Sequence, residues 1–179
     1  SEVMIFAHDN SYEFYKNKFK GNALIKIVEV AIPFYVGNKY GLDFKASAEL
    51  AINKKNIFQI NCAALARASE ELGKPDLVIT DYESVSAQYA YARNAPLVTI
   101  DQQSKFLYGN FPEELAGFTF KDEVERLRMF FPKAVARLAC SFFKISPRLE
   151  GEGVHFFPPT LKDGVIRMKR KPKKNSILV

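Results

Sequence analysis

Pro75-Asp76-Leu77-Val78-Ile79-Thr80-Asp81-Tyr82-Glu83-Ser84 is followed, after ten intervening residues, by Ala95-Pro96-Leu97-Val98-Thr99-Ile100-Asp101-Gln102-Gln103. Each segment has a proline one or two residues before a run of four apolar or β-branched residues, and an aspartate follows each run. The runs 77–80 and 97–100 therefore read as short buried strands. Residues 83–92 between them suit a helix, with Asn94 as a candidate C-terminal cap. Short apolar strands alternating with helices of about ten residues call for a parallel sheet covered on both faces.

The same grammar extends in both directions. Residues 2–7 and 24–30 read as strands, separated by a helix over Tyr12–Phe19 for which Asp9, Asn10 or Ser11 is the expected cap. Pro33 to Leu42, with Gly37, Asn38 and Gly41, predicts a loop or short hairpin. Phe44 to Leu72 predicts two consecutive helices, the second ended by Gly73 and Pro75. Asp101–Thr119 reads as a loop and Lys121–Phe130 as a charged amphipathic helix. Pro132 is expected to open a further helix, and 141–145 and 154–157 to form strands, the latter stopped by Pro158-Pro159. All strands from 2–7 to 141–145 are expected to lie parallel in one sheet.

Composition fits this picture. The 179 residues are 47% hydrophobic, with 16 Phe and 8 Tyr, enough for one well-packed domain and too few for two of ordinary size. The longest apolar runs are about six residues, against roughly 18 needed to span a bilayer. The net charge of +6 is local: Arg167, Lys169, Arg170, Lys171, Lys173 and Lys174 are six of the 26 basic residues, and the other 20 balance the 20 acidic ones. The neutral remainder argues against a nucleic-acid-binding surface. Cys62 and Cys140 read as reduced, buried thiols.

Chemistry in open parallel sheets gathers beyond the carboxyl ends of the strands. Three strand ends carry polar residues: His8-Asp9-Asn10, Asp81-Tyr82-Glu83-Ser84, and Asp101-Gln102-Gln103-Ser104. Asp81 or Ser84 has an even claim to be a helix cap instead, and His8 reads more readily as an ordinary loop histidine than as a base. Asp101-Gln102-Gln103 is the group least explained by capping, since no helix clearly follows. No dinucleotide fingerprint, phosphate loop or nucleophile elbow is present. Two distant histidines and two unpaired-spacing cysteines make a metal site improbable, and no cofactor is implied. On residues alone the reading ends at a ligand-binding α/β domain without a nameable reaction.

The pair of segments adds a resemblance. P-D-L-V-I-T-D-Y-E-S followed by A-P-L-V-T-I-D-Q-Q is similar to the N-terminal, acceptor-side domain of MurG-like GT-B glycosyltransferases, in a bacterial and archaeal branch. What this implies is metal-independent transfer of a sugar from a nucleotide-diphosphate donor to a sugar or lipid-linked acceptor in an interdomain cleft. Asp81 and Glu83 fall on the acidic pair of the first motif and become the catalytic candidates. Asp101, Gln102 and Gln103 match the second motif and, with Ser84 and His8 from the strand ends, are the substrate-binding candidates. The family's opening strand and glycine-rich G-x-G-H-x-x-R loop find no counterpart, so Ser1 falls at the family's second strand.

The domain expectation is therefore an acceptor-side unit over 1–165 without its first strand. A basic interdomain linker over 166–179 would lead to a donor-binding domain, in which Ile177 begins a strand. By itself this segment is expected to be inactive. The location expected is cytoplasmic; contact of Arg167–Lys174 with the inner membrane surface is the minority reading of the basic run. Two other readings stay open: a subunit of a split transferase, and a non-catalytic sugar- or nucleotide-binding module.

Overall fold

The computed structural model describes residues 1–32, 36–38, 41–54, 56–111, 121–148 and 153–167. It is an α/β fold whose paired strands are mostly parallel and flanked by helices. In chain order the elements are β1 (Val3–Ala7), α1 (Asp9–Lys18), β2 (Ile25–Glu29), β3 (Val36–Asn38), β4 (Gly41–Asp43), α2 (Phe44–Lys54), α3 (Ile57–Glu71) and β5 (Val78–Thr80). They continue with α4 (Ser84–Ala92), β6 (Leu97–Asp101), α5 (Ser104–Tyr108), β7 (Gly109–Asn110), α6 (Lys121–Phe130), β8 (Ala136–Cys140), β9 (Ser146–Pro147), β10 (Val154–Phe157) and α7 (Asp163–Ile166).

The parallel strands do not form the single sheet expected. β1 and β2 make one parallel pair, and β10, β8, β6 and β5 lie in that order in a separate four-stranded parallel sheet. β3–β4 is the hairpin foreseen around Gly37–Gly41, and β7–β9 is a second small antiparallel pair.

Two hydrophobic clusters hold these pieces. Val28 and Val30 pack with Ala64 and Val85 and with half-buried Met4 and Phe6. Ala87, Ala90 and Leu97 pack with Leu127 and Phe131 of the α6 region. α4 contributes to both, through Val85 to the first and through Ala87 and Ala90 to the second. The opposite face of the four-stranded sheet leaves Ile79 58% and Ile100 36% exposed. Among the described residues, only one face of that sheet is thus closed over.

Local chemistry explains the helix ends. Asn94 adopts φ +49°, and Ala95 N–H bonds Ala90 O at 2.9 Å while Asn94 N–H bonds Tyr91 O at 3.2 Å, the paired closure that a left-handed C-terminal residue allows. Gly73, at φ +68°, ends α3 in the same conformation. α1 starts earlier than expected, at Asp9. Its cap position is His8, whose backbone exchanges bonds with the Ser11 hydroxyl: His8 N–H donates at 3.3 Å, and Ser11 Oγ donates to His8 O at 2.6 Å.

Three expectations need correction. The strand placed at 141–145 lies at 136–140, and Ser141–Ile145 is a loop in which the Ser141 hydroxyl donates to Phe143 O at 2.7 Å. Pro132 opens no helix, because the chain after Phe131 goes directly into β8. Arg137 masked this strand by putting a charge inside it. Its guanidinium is buried, donating to Phe131 O and lying 5.2 Å over the Tyr108 ring, so the strand tolerates the charge. Cys62 is exposed on α3 and Cys140 half-buried at the end of β8, so neither is the deeply buried thiol expected. The expectations for Lys169–Lys174 and Ile177 lie outside the described residues, as does the 112–120 part of the predicted loop.

Candidate functional site

Parallel pairing puts the loops after β5, β6 and β8 on one edge of the four-stranded sheet. Val85, in the first turn of α4, packs on Val28 near the carboxyl end of β2, and the Tyr89 ring lies 6.1 Å from Phe6. Between β1 and β5 is a cavity of ≈ 980 Å³, and His8, Ser11, Asp81, Glu83 and Ser86 line its carboxyl-end mouth. Asp101, Gln102, Gln103 and Ser84 open on the same edge but are not part of that lining.

Asp81 and Glu83 have different surroundings. Glu83 occupies the cap position of α4 in extended conformation, and its carboxylate accepts from Val85 N–H at 2.5 Å and Ser86 N–H at 2.7 Å. Thr80 Oγ1 pins the Glu83 backbone on both sides, donating to its carbonyl at 2.6 Å and accepting from its amide at 3.0 Å. Glu83, not Asp81 or Ser84, is therefore the cap. Ser84 simply opens the helix.

Asp81 sits exposed at the strand end, and among the described residues no hydrogen bond or ion pair holds its carboxylate. Burial of one side of the group, and secondarily the negative charge of Asp101, raise its pKa above the usual aspartate value.

Tyr82 makes the turn between these two. Its φ of +55° is a left-handed conformation that costs a bulky residue roughly 1–2 kcal/mol. Two anchors hold it there. Its hydroxyl donates to Glu123 Oε1 of α6, and its ring lies 5.5 Å from Phe131. Burial first, and Glu123 second, push the phenol's pKa far upward, so it stays protonated as a donor. Tyr82 carried no role in the sequence reading; a backbone outlier leaves no compositional signal.

The loop after β6 departs from expectation. Asp101 is 4% exposed, and its carboxylate accepts from Ser104 N–H at 2.6 Å and from Ser104 Oγ at 2.9 Å. A short helix, α5, does follow, and Asp101 organises its first turn. Gln103 turns its carboxamide back to accept from Gln102 N–H at 3.0 Å. Beyond it, the buried Lys105 ammonium lies 5.3 Å from the Phe106 ring and 5.6 Å from that of Phe143. Phe106, Phe111 and Phe143 form a continuous aromatic surface, with Phe142 73% exposed beside it. This aromatic group was not foreseen, because its rings come from three separate stretches of chain.

A protein-family model described as glycosyl transferase family 1 matches residues 2–179. The chain belongs to this family. No curated protein and no solved structure matches it significantly. Of Asp81, Glu83 and Asp101 at the carboxyl edge, Asp81 is the one whose carboxylate no described hydrogen bond holds. Among the described residues no three metal-ligating side chains cluster, and no helix is long and apolar enough to cross a membrane.

Proposed function

We propose that this chain is the acceptor-side half of a MurG-like, metal-independent GT-B transferase, with Asp81 as the base that activates the acceptor. The acceptor hydroxyl gives its proton to the Asp81 carboxylate as its oxygen bonds the sugar's anomeric carbon. The bond from that carbon to the donor phosphate breaks, and its electron pair leaves with the nucleoside diphosphate. Glu83 fixes the start of α4, and Tyr82 directs Asp81 outward. The first free amides of α4 are engaged by Glu83, so the leaving diphosphate is stabilised by helix ends and amides of the donor-binding domain. Phe142 and Phe143 offer apolar faces on which an acceptor's carbon skeleton rests, with Gln102 and Gln103 lining the approach and Asp101 holding the turn beneath them.

One observation carries this reading. Asp81 is open, unpartnered and raised in pKa at the carboxyl edge, whereas Glu83 and Asp101 are consumed by local structure. In the enzyme carrying its donor-binding domain, Asp81→Asn is expected to reduce kcat for transfer from nucleoside-diphosphate sugars by about 10²–10⁴-fold. An unchanged kcat in a folded variant refutes the assignment.

A further inference from the structure

Lys105 follows β6 closely, in the first turn of α5, and only 7% of the residue is exposed. Its ammonium lies beside two rings, 5.3 Å from that of Phe106 and 5.6 Å from that of Phe143. Among the described residues no carboxylate, carbonyl or hydroxyl bonds to it. Asp101, the acid nearest in sequence, is engaged twice by Ser104. The charged tip is still within reach of a ligand. The buried side-chain polar atoms left without a partner are Thr99 Oγ1 and Arg137 Nη1, and Lys105 Nζ is not one of them, so it opens at the surface.

A buried charge is costly unless an opposite charge or hydrogen bonds replace the water it gives up. Most lysines avoid this cost by carrying the ammonium clear into solvent. Here the stem is held down and rings flank the tip, and their faces recover only part of the loss. An anion arriving at this point meets a partly desolvated charge, which attracts it more strongly than a free surface lysine does.

The surroundings have the matching sign. Pairing of β7 with β9 brings the stretches 102–111 and 141–148 together, and Arg148 N–H bonds Tyr108 O at 2.7 Å at the end of α5. Gly109 permits this closeness: a Cβ there would stand 2.6 Å from Lys105 O and 2.7 Å from Ile145 Cγ2. The two stretches hold three basic residues, Lys105, Lys144 and Arg148, and no acidic one. Lys144 and Arg148 are exposed, as are Phe142 and Phe143. Both stretches follow the carboxyl ends of parallel strands, β6 and β8, on the edge where open α/β sheets bind ligands.

We infer that Lys105, rimmed by Lys144 and Arg148, is an anion-binding subsite, and that the acceptor taken at this edge carries an acidic group, a phosphate or a carboxylate. The group's apolar or sugar neighbour lies on Phe143. Lys105 thereby selects the substrate: an acidic acceptor pairs the ammonium, and a neutral one forgoes that gain. This rests on the reading of the edge as the acceptor side, and it stands whichever group is the base.

The test is isothermal titration of the full-length protein with phenyl phosphate, benzoate and the neutral phenyl β-glucoside. A nucleoside diphosphate is kept in excess, so that no donor-binding surface takes up the probe. The better anion is expected to bind at least about tenfold more tightly than the neutral glucoside, the scale of a charge-assisted hydrogen bond. Equal affinities in the parent protein overturn the inference. Preference for phenyl phosphate over benzoate assigns a phosphate, and the reverse a carboxylate. Lys105→Met, similar in length but uncharged, is expected to lose the tenfold preference, and Lys105→Arg to keep it. A folded Lys105→Met protein that binds the anion as the parent does overturns the subsite. Asp81→Asn is expected to bind the anion no more weakly than the parent; weaker binding there puts the probe at Asp81 and equally overturns it. These readouts are affinities, whereas the Asp81 base is read from kcat, so either assignment can fail while the other stands.

Discussion

Asp81 and Glu83 lie two residues apart, and their hydrogen bonds divide the work between them. Asp81 takes up its proton more readily in the folded protein than in the unfolded chain. The folded state therefore binds more protons around the raised pKa, and stability contributed at this site falls as pH rises through it. At neutral pH the ionised carboxylate is a cost that Asp81→Asn removes. That variant is expected to show a Tm equal to or above the parent's at pH 7, with the difference vanishing below about pH 3.9, where both states hold a neutral acid. Scanning calorimetry across pH checks this, and a lower Tm at pH 7 argues against the stated environment. The acidic limb of kcat should likewise lie above the ordinary aspartate range, since the base must be ionised to act. Glu83 acts through its hydrogen bonds: Glu83→Ala removes two cap bonds, and denaturant unfolding is expected to show a loss of about 1 kcal/mol.

Among the elements, those legible in the sequence were the ones whose signals are local. Val78–Thr80 and Leu97–Asp101 stood out because proline and aspartate bound unbroken apolar runs. Asn94 and Gly73 marked helix ends because left-handed conformations favour these residue types. β8 was displaced by several residues because Arg137, buried by Phe131 O and the Tyr108 ring, interrupts the apolar pattern for reasons visible only in three dimensions. α5 was missed because five residues carry too little periodicity to register. The carboxylates of the site were all visible; which of them is open was not, since that depends on hydrogen bonds to Val85, Ser86 and Ser104. Gly153 illustrates a constraint at this scale. Its φ is +67°, and a Cβ there would stand 2.8 Å from Val135 O, beside the bond from Arg137 N–H to Gly153 O that starts the β8–β10 pairing. Gly153→Ala is expected to cost about 1–2 kcal/mol from the backbone alone, measurable as a lowered denaturant midpoint with an unchanged slope.

Among the described residues the parallel strands form two sheets bridged by helices, and the helix that bridges most directly is α4. Reducing Val85 to Ala should loosen the β1–β2 half without disturbing β6 and β8, because Val85 belongs to the cluster around Val28 alone. Hydrogen exchange in that variant is expected to quicken in 25–29 and remain unchanged in 136–140. Uniform acceleration would mean that the two halves open as one unit.

The position of α4 across both clusters has a kinetic meaning. Ala87 and Ala90 meet Leu97 within a dozen residues of chain, whereas Val85 reaches back 57 residues to Val28. Loop closure of the second kind is slower and carries no reward until both parts are formed. Folding should then begin with β5, α4 and β6, and the amino-terminal pair should dock late. In chevron experiments Ala90→Gly is expected to slow refolding, while Val85→Ala chiefly hastens unfolding. α4 thus acts as the clock of the fold: its near contacts set the pace, and its far contact decides how long the finished structure lasts.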